Sequence, residues 1–287
     1  MSEASEANGM RVALVQMRSG RNVSANVKDA LDLVRQAAAQ GANYIQTPEM
    51  TTLMEVDRQQ LLAAVQHEAD NSAIAQFTAT ARDLKVWLHI GSMAVLRDDG
   101  AIANRSYLVA PNGSVSASYD KIHMFDVDLG NGDVYRESAS YAAGSKAVIA
   151  ELPWGGLGLT ICYDLRFPAL HRALAKGGAK FLAVPAAFTR VTGEAHWHTL
   201  LRARAIEAQS FVFAATQGGR HENGRETFGH SLIISPWGQV LAEAGTEPGF
   251  VAADIDLAML EDVRRRLPSL THDRHFEVSP ARAKKRV

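Results

Sequence analysis

Three residues in this 287-residue sequence have side chains that together could carry out attack on a carbonyl carbon: a nucleophile, a base and a cation. Cys162, the single cysteine, ends the apolar run LGLTIC and precedes a polar segment that reaches Pro168. Pro168 suits the first turn of a helix, and a thiol near a helix N-terminus has its thiolate stabilised, as a nucleophile requires. A small buried hydrophobic residue is the competing interpretation of an isolated cysteine. Position alone leaves both interpretations open.

Glu49 and Lys121 offer the acid–base and electrostatic groups that such a nucleophile needs. Glu49 leaves a predicted strand through Thr47-Pro48, where partial desolvation would raise its carboxyl pKa and let it accept a thiol proton. Lys121 follows another strand-like segment and can meet the negative charge that develops on an attacked carbonyl oxygen. A surface glutamate and a solvated lysine beside Asp120 are the alternatives.

The elements that must position these side chains alternate between short apolar strands and amphipathic helices. The first helix is predicted to begin at an N-cap, Ser24, and to end at Gly41. This alternation is typical of an α/β fold whose sheet is covered by helices, and it leaves the number of sheets open. Helices are predicted over 24–40, 72–84, 168–176 and 195–209, and strands over 11–17, 43–47, 86–91, 106–110, 157–163, 181–185, 211–216, 231–235 and 250–255.

No linker or repeat interrupts the sequence, which predicts a single domain over 10–278. Residues 1–9 are polar and predict a disordered leader, and residues 279–287 predict a flexible basic tail. The first apolar run, over 11–17, is too short for a membrane span or a signal core. A cytoplasmic protein without membrane association is therefore expected.

Composition excludes several classes of protein. A hydrophobic fraction of 47% is that of a folded chain, and 30 basic against 31 acidic residues give a net charge of -1. Such a balance provides no long-range field for nucleic acid or an acidic membrane. One cysteine excludes an intramolecular disulfide and a cysteine-built metal site.

Histidine chemistry is also not supported. His196 and His198 lie two apart on a predicted helix and point to nearly opposite sides, so they cannot share a metal ion. His272 and His275 lie in a polar terminal stretch with no third ligand nearby. A papain-type hydrolase would show a local signature around its cysteine, and Cys162 has none. No metal is expected.

Four segments, with compatible spacing and flanks, resemble the nitrilase (carbon-nitrogen hydrolase) superfamily. The resemblance runs from about residue 11 to 270, which is nearly the whole chain. The segments are Thr47-Pro48-Glu49, Tyr119-Asp120-Lys121-Ile122-His123, Arg136-Glu137-Ser138 ahead of Gly144, and Ile161-Cys162-Tyr163-Asp164-Leu165-Arg166-Phe167-Pro168.

The resemblance implies a four-layer αββα sandwich, in which two sheets face each other and helices lie outside. It implies that Glu49 is the general base and that Cys162 attacks an amide carbon to form a thioester. Lys121 and the backbone N–H of Tyr163 would hold the oxyanion, and Glu137 would orient Lys121 and the substrate. No cofactor is needed, and a homodimer or larger homo-oligomer is expected. A binding protein that has lost the chemistry would not need all four side chains.

Later segments resemble the deaminated-glutathione amidases within that superfamily. Their substrate carries a 2-oxoglutaramyl group linked to cysteinylglycine, and hydrolysis gives 2-oxoglutarate and the dipeptide. An omega-amidase, which releases ammonia from 2-oxoglutaramate, and an N-carbamoyl amino-acid hydrolase are the alternatives. The segments are residues 185–188, 192–197, 201–207, 218–221, 227–231 and 236–238.

Such a substrate is an anion with several carboxylates, and an arginine can hold a carboxylate in a bidentate fork. Arg166, Arg190 and Arg220 are the candidates for these contacts, with a structural ion pair as the alternative for each. His221 and His230 are candidate neutral donors, with an ordinary loop histidine as the alternative.

Overall fold

The structure is a computed structural model that describes residues 9–130 and 134–279. The predicted leader and tail therefore lie outside the described residues, apart from Gly9 and Ser279. The helices are α1 Val23–Ala39, α2 Arg58–Ala64, α3 Ser72–Leu84, α4 Pro168–Lys176, α5 Arg190–Ala208 and α6 Leu257–Arg266. Among these described helices, none is long and apolar enough to cross a membrane.

Strands in the first half of the chain supply one six-stranded sheet, which is closed at one edge by the last strand. Its order is β16-β1-β2-β3-β4-β5. The strands are β1 Met10–Gln16, β2 Tyr44–Gln46, β3 Trp87–Leu96, β4 Ile102–Val109, β5 Val115–Asp120 and β16 Gly249–Ile255.

The second half supplies another six-stranded sheet, and two short hairpins lie outside both sheets. The order of the second sheet is β15-β14-β11-β10-β9-β8. The remaining strands are β6 Asp126–Asp128, β7 Val134–Arg136, β8 Val148–Leu152, β9 Gly155–Leu159, β10 Ala179–Ala183, β11 Phe211–Ala214, β12 Gly218–Arg220, β13 Glu226–Phe228, β14 Leu232–Ile234 and β15 Val240–Glu243.

The two sheets pack face to face through buried aromatic and aliphatic side chains. The ring of Tyr44 on β2 lies 5.5 Å from the ring of Phe213 on β11, centroid to centroid. Gln46, also on β2, donates from Nε2 to the carbonyl oxygen of Phe213 at 3.0 Å. This buried contact joins the first sheet directly to the second.

Helices cover the outer face of each sheet, and β1 shows how the sequence produces this arrangement. Side chains alternate across a strand, so Ala13 and Val15 join the buried cluster that contains Val27 of α1. Val12 and Leu14 of the same strand join the cluster between the sheets. Helices α4 and α5 cover the second sheet in the same way. The four-layer αββα sandwich is confirmed.

Several predicted boundaries differ from the structure, including the starts of two helices and the end of one strand. Asn22, not Ser24, caps α1, because its side chain accepts the N–H of Ala25. Helix α5 begins at Arg190, earlier than residue 195. The strand predicted over 157–163 ends at Leu159, and Cys162 begins a short 3-10 helix, Cys162–Arg166. Apolar periodicity continued past Leu159 because the following turn is also buried.

Candidate active site

Cys162 lies at a sharp turn between β9 and α4. Its backbone has φ +48°, and its N–H donates to the carbonyl oxygen of Pro185 at 2.9 Å. Left-handed backbone is uncommon for a residue with a side chain and occurs mainly where the surroundings enforce it. The turn leaves Cys162 only 6% exposed.

Asp164 ties this turn to the segment that carries Lys121. One carboxylate oxygen accepts the N–H of Ile161 at 2.8 Å and the hydroxyl of Tyr119 at 2.7 Å. The other accepts the N–H of His123 at 3.1 Å. Asp164 is fully buried, so these hydrogen bonds hold the two segments in one register. No role for this residue was predicted from the sequence.

Lys121 is buried and held by two carboxylates. Its Nζ lies 2.9 Å from Oε1 of Glu49 and 2.8 Å from Oε2 of Glu137. A buried ammonium requires such partners, because an unpaired buried charge is strongly destabilising. The structure therefore brings together three of the residues that the sequence singled out.

Glu49 is fixed by neighbours on both of its oxygens. Oε1 accepts Nδ2 of Asn104 at 3.0 Å, and Oε2 accepts the N–H of Ala187 at 2.8 Å. The Nδ2 of Asn104 also lies 3.1 Å from Glu137 Oε1, so it bridges the two carboxylates. Asn104 was missed in the sequence because it lies inside β4, where nothing local distinguishes it from other strand residues.

The segment that carries Glu49 packs so closely on β3 that one position must be glycine. A Cβ added to Gly91 would lie 2.0 Å from the carbonyl oxygen of Thr47 and 2.5 Å from that of Pro48. Both are backbone atoms in the turn that ends at Glu49. The absence of a side chain at residue 91 therefore sets the position of the Glu49 carboxylate.

Glu49 and Lys121 are stabilised in their charged forms. Burial by itself would raise the pKa of Glu49, but the ammonium of Lys121 outweighs it and lowers that pKa. Burial would likewise lower the pKa of Lys121, but Glu137 and Glu49 hold it well above the ordinary value. The expected raised pKa of Glu49 is therefore wrong, because partial desolvation is outweighed by a cation in direct contact.

Cys162, by contrast, is stabilised in its uncharged form. Burial raises the pKa of its thiol, and the negative charge of Glu49 raises it further. The expected stabilisation of the thiolate by a helix N-terminus is therefore wrong. The turn is a short 3-10 helix, and its effect is smaller than that of burial beside a carboxylate. The resting thiol is neutral and must lose its proton as it attacks.

These residues line a cavity of about 530 Å³. Its wall includes Glu49, Lys121, Glu137, Cys162 and Tyr163. Tyr163 is the second residue of the 3-10 helix, and N–H groups at a helix start have no partner within the helix. This volume is within the roughly 300–1,000 Å³ of ligand pockets. The arrangement provides a nucleophile, a base and a cation in one water-accessible space.

Several elements of this wall were not predicted from the sequence. Helix α2 contributes Arg58, and strand β7 contributes Tyr135. The segment between β12 and β13 contributes Arg225. These elements are too short for a periodic pattern to identify them. Aromatic side chains of Phe125, Tyr141 and Phe188 also line the cavity.

The five residues suggested as substrate contacts are not part of the cavity wall. The guanidinium of Arg166 stacks over the Phe188 ring at 5.1 Å and contacts His196. Arg190 pairs with Glu194 and Glu226 at the surface, which is the structural ion pair given above as the alternative to a substrate contact. Arg220 is exposed at the end of β12.

The two histidines have structural contacts. His221 is buried between the carbonyl oxygen of Ser19 and the hydroxyl of Thr227. Burial lowers the pKa of His221 to about 4, so the ring is neutral. His230 contacts Glu243 at 2.8 Å, away from the cavity.

His230 belongs to a cluster that the sequence did not reveal. His198 contacts the same oxygen of Glu243 at 2.9 Å, and the ligand-type atoms of all three residues lie within 4.8 Å of one another. The sequence predicted only that His198 and His196, two apart on one helix, cannot share a metal ion. The tertiary structure instead pairs His198 with residues from other segments, and hydrogen bonds to one carboxylate oxygen hold the two imidazoles.

Comparison with known proteins agrees with this geometry. The model of the family described as carbon-nitrogen hydrolase matches residues 11–265. The chain belongs to the carbon-nitrogen hydrolase family. This membership confirms the resemblance to the nitrilase superfamily, and the protein is a hydrolase of carbon–nitrogen bonds.

Relatives of this carbon-nitrogen hydrolase cover nearly all of it. A Synechocystis protein named deaminated glutathione amidase is 42% identical over 265 residues, which are 91% of this chain and 96% of that protein. The crystal structure of the C. elegans NitFhit protein has a TM-score of 0.86 at 33% identity, over 93% of this chain and 65% of that one. Saccharomyces cerevisiae Nit3, a member of branch 10 of the nitrilase superfamily, has a TM-score of 0.82 at 28% identity, over 90% and 94%.

Proposed function

We propose that this carbon-nitrogen hydrolase is a cofactor-independent thiol amidase that cleaves deaminated glutathione into 2-oxoglutarate and cysteinylglycine. The observation that carries the chemistry is the buried Lys121 held between Glu49 and Glu137 in the cavity that contains Cys162. The substrate assignment is supported by the relatives that bear this name at up to 42% identity over most of the chain.

In the first half of the reaction, the Cys162 thiol attacks the amide carbon while Glu49 takes its proton. Because the pKa of the thiol is raised, proton transfer accompanies attack and does not precede it. The carbonyl oxygen becomes an oxyanion between Lys121 Nζ and the N–H of Tyr163. Each such donor stabilises the transition state by on the order of 3 kcal/mol.

In the second half, protonated Glu49 donates its proton to the amine nitrogen of cysteinylglycine as the carbon–nitrogen bond breaks. The 2-oxoglutaryl group remains on Cys162 as a thioester. Glu49 then takes a proton from water, which attacks the thioester through a second oxyanion. Collapse releases 2-oxoglutarate, and Glu49 gives the proton that it took from water to the departing sulfur, which becomes the neutral thiol again. Glu137 keeps Lys121 in place throughout.

The test is to incubate the protein with deaminated glutathione and, separately, with 2-oxoglutaramate. We expect cysteinylglycine to form much faster than ammonia and Cys162→Ala to release neither product. Liquid chromatography of the dipeptide and an enzymatic ammonia assay give the two rates. Faster ammonia release would favour the omega-amidase, and activity only on carbamoyl amino acids would favour the third candidate.

A trapped intermediate would establish the covalent step. Acid quenching during turnover is expected to leave a fraction of the protein heavier by one 2-oxoglutaryl group, as measured by intact mass spectrometry. Cys162→Ala protein treated identically is the control. A mass increase that survives this substitution would place the acyl group elsewhere.

Assembly and location complete the proposal. We infer a homodimer, supported by exposed apolar side chains near α5 and α6, among them Ile206, Trp237 and Leu267, which are 45%, 57% and 51% exposed. Light scattering after size-exclusion chromatography tests this, and a monomer mass would reject it. A catalytic thiol must stay reduced, which fits a cytoplasmic protein.

A further inference from the structure

Three arginines that line the cavity make no ion pair with a carboxylate in the part of the chain that the structure describes. Within the described residues, Arg225 donates from Nη2 to the carbonyl oxygen of Ala187 at 2.6 Å and makes no ion pair. Arg58 donates to the carbonyl oxygen of Ala139, and Arg136 to those of residues 127 and 135. All three line the cavity. Most arginines of the surface, by contrast, pair with aspartate or glutamate.

Among the described residues, the cavity wall has one more cation than carboxylates, with Arg58, Lys121, Arg136 and Arg225 against Glu49, Glu55 and Glu137. Glu49 and Glu137 are held by Lys121. Glu55, which also lines the cavity, pairs with Arg21 at 3.2 Å. Lys121 balances only one of the carboxylates Glu49 and Glu137, and Arg225 also lowers the pKa of Glu49. The excess positive charge of the wall therefore lies with Arg58 and Arg136.

Arg225 lies in the inner part of this space. Its partner Ala187 donates its own N–H to Glu49, so the guanidinium is one residue away from the proposed base. The Nε of Arg225 is buried and has no hydrogen-bond partner within the described residues. A buried donor without a partner is costly, and an anionic ligand that draws the group into a complete set of hydrogen bonds removes that cost.

Arg58 and Arg136 lie at the outer part of the cavity. Both side chains belong to exposed residues, one at the start of α2 and the other at the end of β7. The two elements are joined across the wall, because Arg58 binds the carbonyl oxygen of Ala139, three residues beyond Arg136. Positive charge is thus present at two depths.

The order of product release determines which end of the substrate meets which arginine. Cysteinylglycine leaves while the 2-oxoglutaryl group is still attached to Cys162, so the dipeptide must face the cavity mouth. The acyl group, which leaves last, must occupy the inner part. Each half of deaminated glutathione ends in one carboxylate, and a planar guanidinium can bind a carboxylate through two N–H groups.

We propose that Arg225 binds the carboxylate of the 2-oxo acid and that Arg58 and Arg136 bind the terminal carboxylate of the departing dipeptide. This assignment rests on the proposed function. It explains why a substrate with two carboxylates at opposite ends is selected, and it replaces the arginines inferred from the sequence with three that line the cavity.

The experiment compares Arg225→Gln with the double variant Arg58→Gln/Arg136→Gln on both 2-oxo substrates. 2-Oxoglutaramate has the inner carboxylate and lacks the outer one. Arg225→Gln is expected to raise KM about ten- to hundredfold for both substrates, as the loss of a charged hydrogen-bonded pair implies. The double variant is expected to raise KM for deaminated glutathione alone. Little change in kcat is expected, because these contacts form equally in the ground and transition states.

Two further variants separate binding from folding. Arg225→Lys keeps the charge without the planar fork and is expected to recover only part of the affinity. Arg82→Gln, on the exposed face of α3, is the matched control and should leave both KM values unchanged. Equal KM changes for the two substrates in the double variant would overturn the outer assignment. An unchanged KM in Arg225→Gln would overturn the inner one.

Binding to catalytically inactive Cys162→Ala protein distinguishes failure of this assignment from failure of the proposed function. Calorimetric titration with 2-oxoglutarate is expected to show binding that Arg225→Gln, made in the same background, weakens at least about tenfold. If the wild type cleaves neither substrate but 2-oxoglutarate binding still depends on Arg225, the proposed reaction is wrong and the assignment of Arg225 stands. If 2-oxoglutarate binds equally with and without Arg225, the assignment of Arg225 is wrong, whether or not the wild type cleaves the substrates.

Discussion

At the scale of single residues, the central feature is one ammonium shared by two carboxylates beside a neutral thiol. Lys121 is 2% exposed and satisfies Glu49 and Glu137 together. This arrangement keeps Glu49 ionised although it is buried, and so keeps a base ready for a thiol whose pKa is raised. Asn104 adds a neutral donor between the two carboxylates without adding charge.

The pH dependence of activity follows from Glu49. Because its folded pKa is lowered, Glu49 is ionised above its unfolded pKa and becomes protonated only as pH falls through the lower folded value. The stabilisation that its ion pair contributes is lost over the same interval. We expect the acid limb of kcat/KM to lie below the ordinary glutamate value of 4.5, as measured by initial rates in buffers of constant ionic strength.

Glu49→Gln is the variant that checks this assignment, since it preserves shape and removes the base. We expect at least about a hundredfold loss of kcat, as for other general bases, and loss of that acid limb from any residual activity. An acid limb that persists in Glu49→Gln would assign it to another group.

At the scale of elements, the site depends on turns that hold their strands at fixed distances. The turn after β2 presents Glu49, the end of β5 presents Lys121, and the 3-10 helix after β9 presents Cys162. Asp164 joins the segments that carry Lys121 and Cys162. The turn that carries Glu49 packs directly on Gly91 of β3, which sets its distance from that strand. Loops carry the chemistry because rigid strands position them.

Gly91→Ala tests this dependence. The new Cβ would meet two backbone carbonyl oxygens of the turn before Glu49, so the turn must shift. We expect a loss of stability of about 1–3 kcal/mol, typical of overpacking, and a fall in kcat larger than the change in KM. Chemical denaturation and steady-state kinetics measure the two effects.

Gly245→Ala is the matched control, because a Cβ there would have no atom within 4 Å. Its stability and kcat should stay close to those of the wild type. If Gly91→Ala behaved like Gly245→Ala, the close approach of β3 would not be what positions Glu49.

At the scale of the whole molecule, the site exists only because two sheets are packed together. Glu49 and Lys121 extend from the first sheet, and Cys162 extends from the second. The contact of Tyr44 with Phe213 and the hydrogen bond from Gln46 belong to the same interface. Stability of the sheet interface and assembly of the catalytic groups are therefore linked.

Phe213→Ala tests this link. Removing a fully buried aromatic ring from between the sheets should cost about 3–5 kcal/mol of unfolding free energy. Activity should be lost together with the folded state as denaturant rises. Phe276→Ala, at a residue that is 79% exposed, is the control and should change neither midpoint. A small loss for Phe213→Ala would mean that the interface relaxes around the cavity.

Local patterns in the sequence predicted an α/β fold, and the resemblance to the nitrilase superfamily added the four-layer architecture, the reaction class and the four side chains that the structure places in one cavity. These depend on local signals: apolar alternation in the strands, and motifs around Glu49, Lys121, Glu137 and Cys162 that keep their order along the chain. A helix such as α4 was predicted at its observed bounds because its proline start and apolar face are local too.

The directions of the pKa shifts and the residues that line the cavity became visible only in the folded structure. Lys121 and Glu49 are 72 positions apart, and the pKa of each depends on contact with the other, which no local pattern encodes. Arg225 reaches the cavity because the β12–β13 hairpin folds back over Ala187, whereas Arg166, closer to the motif, turns onto an aromatic ring. Distance through space, and not distance along the chain, sets electrostatic interaction, so these features could not be derived from the sequence.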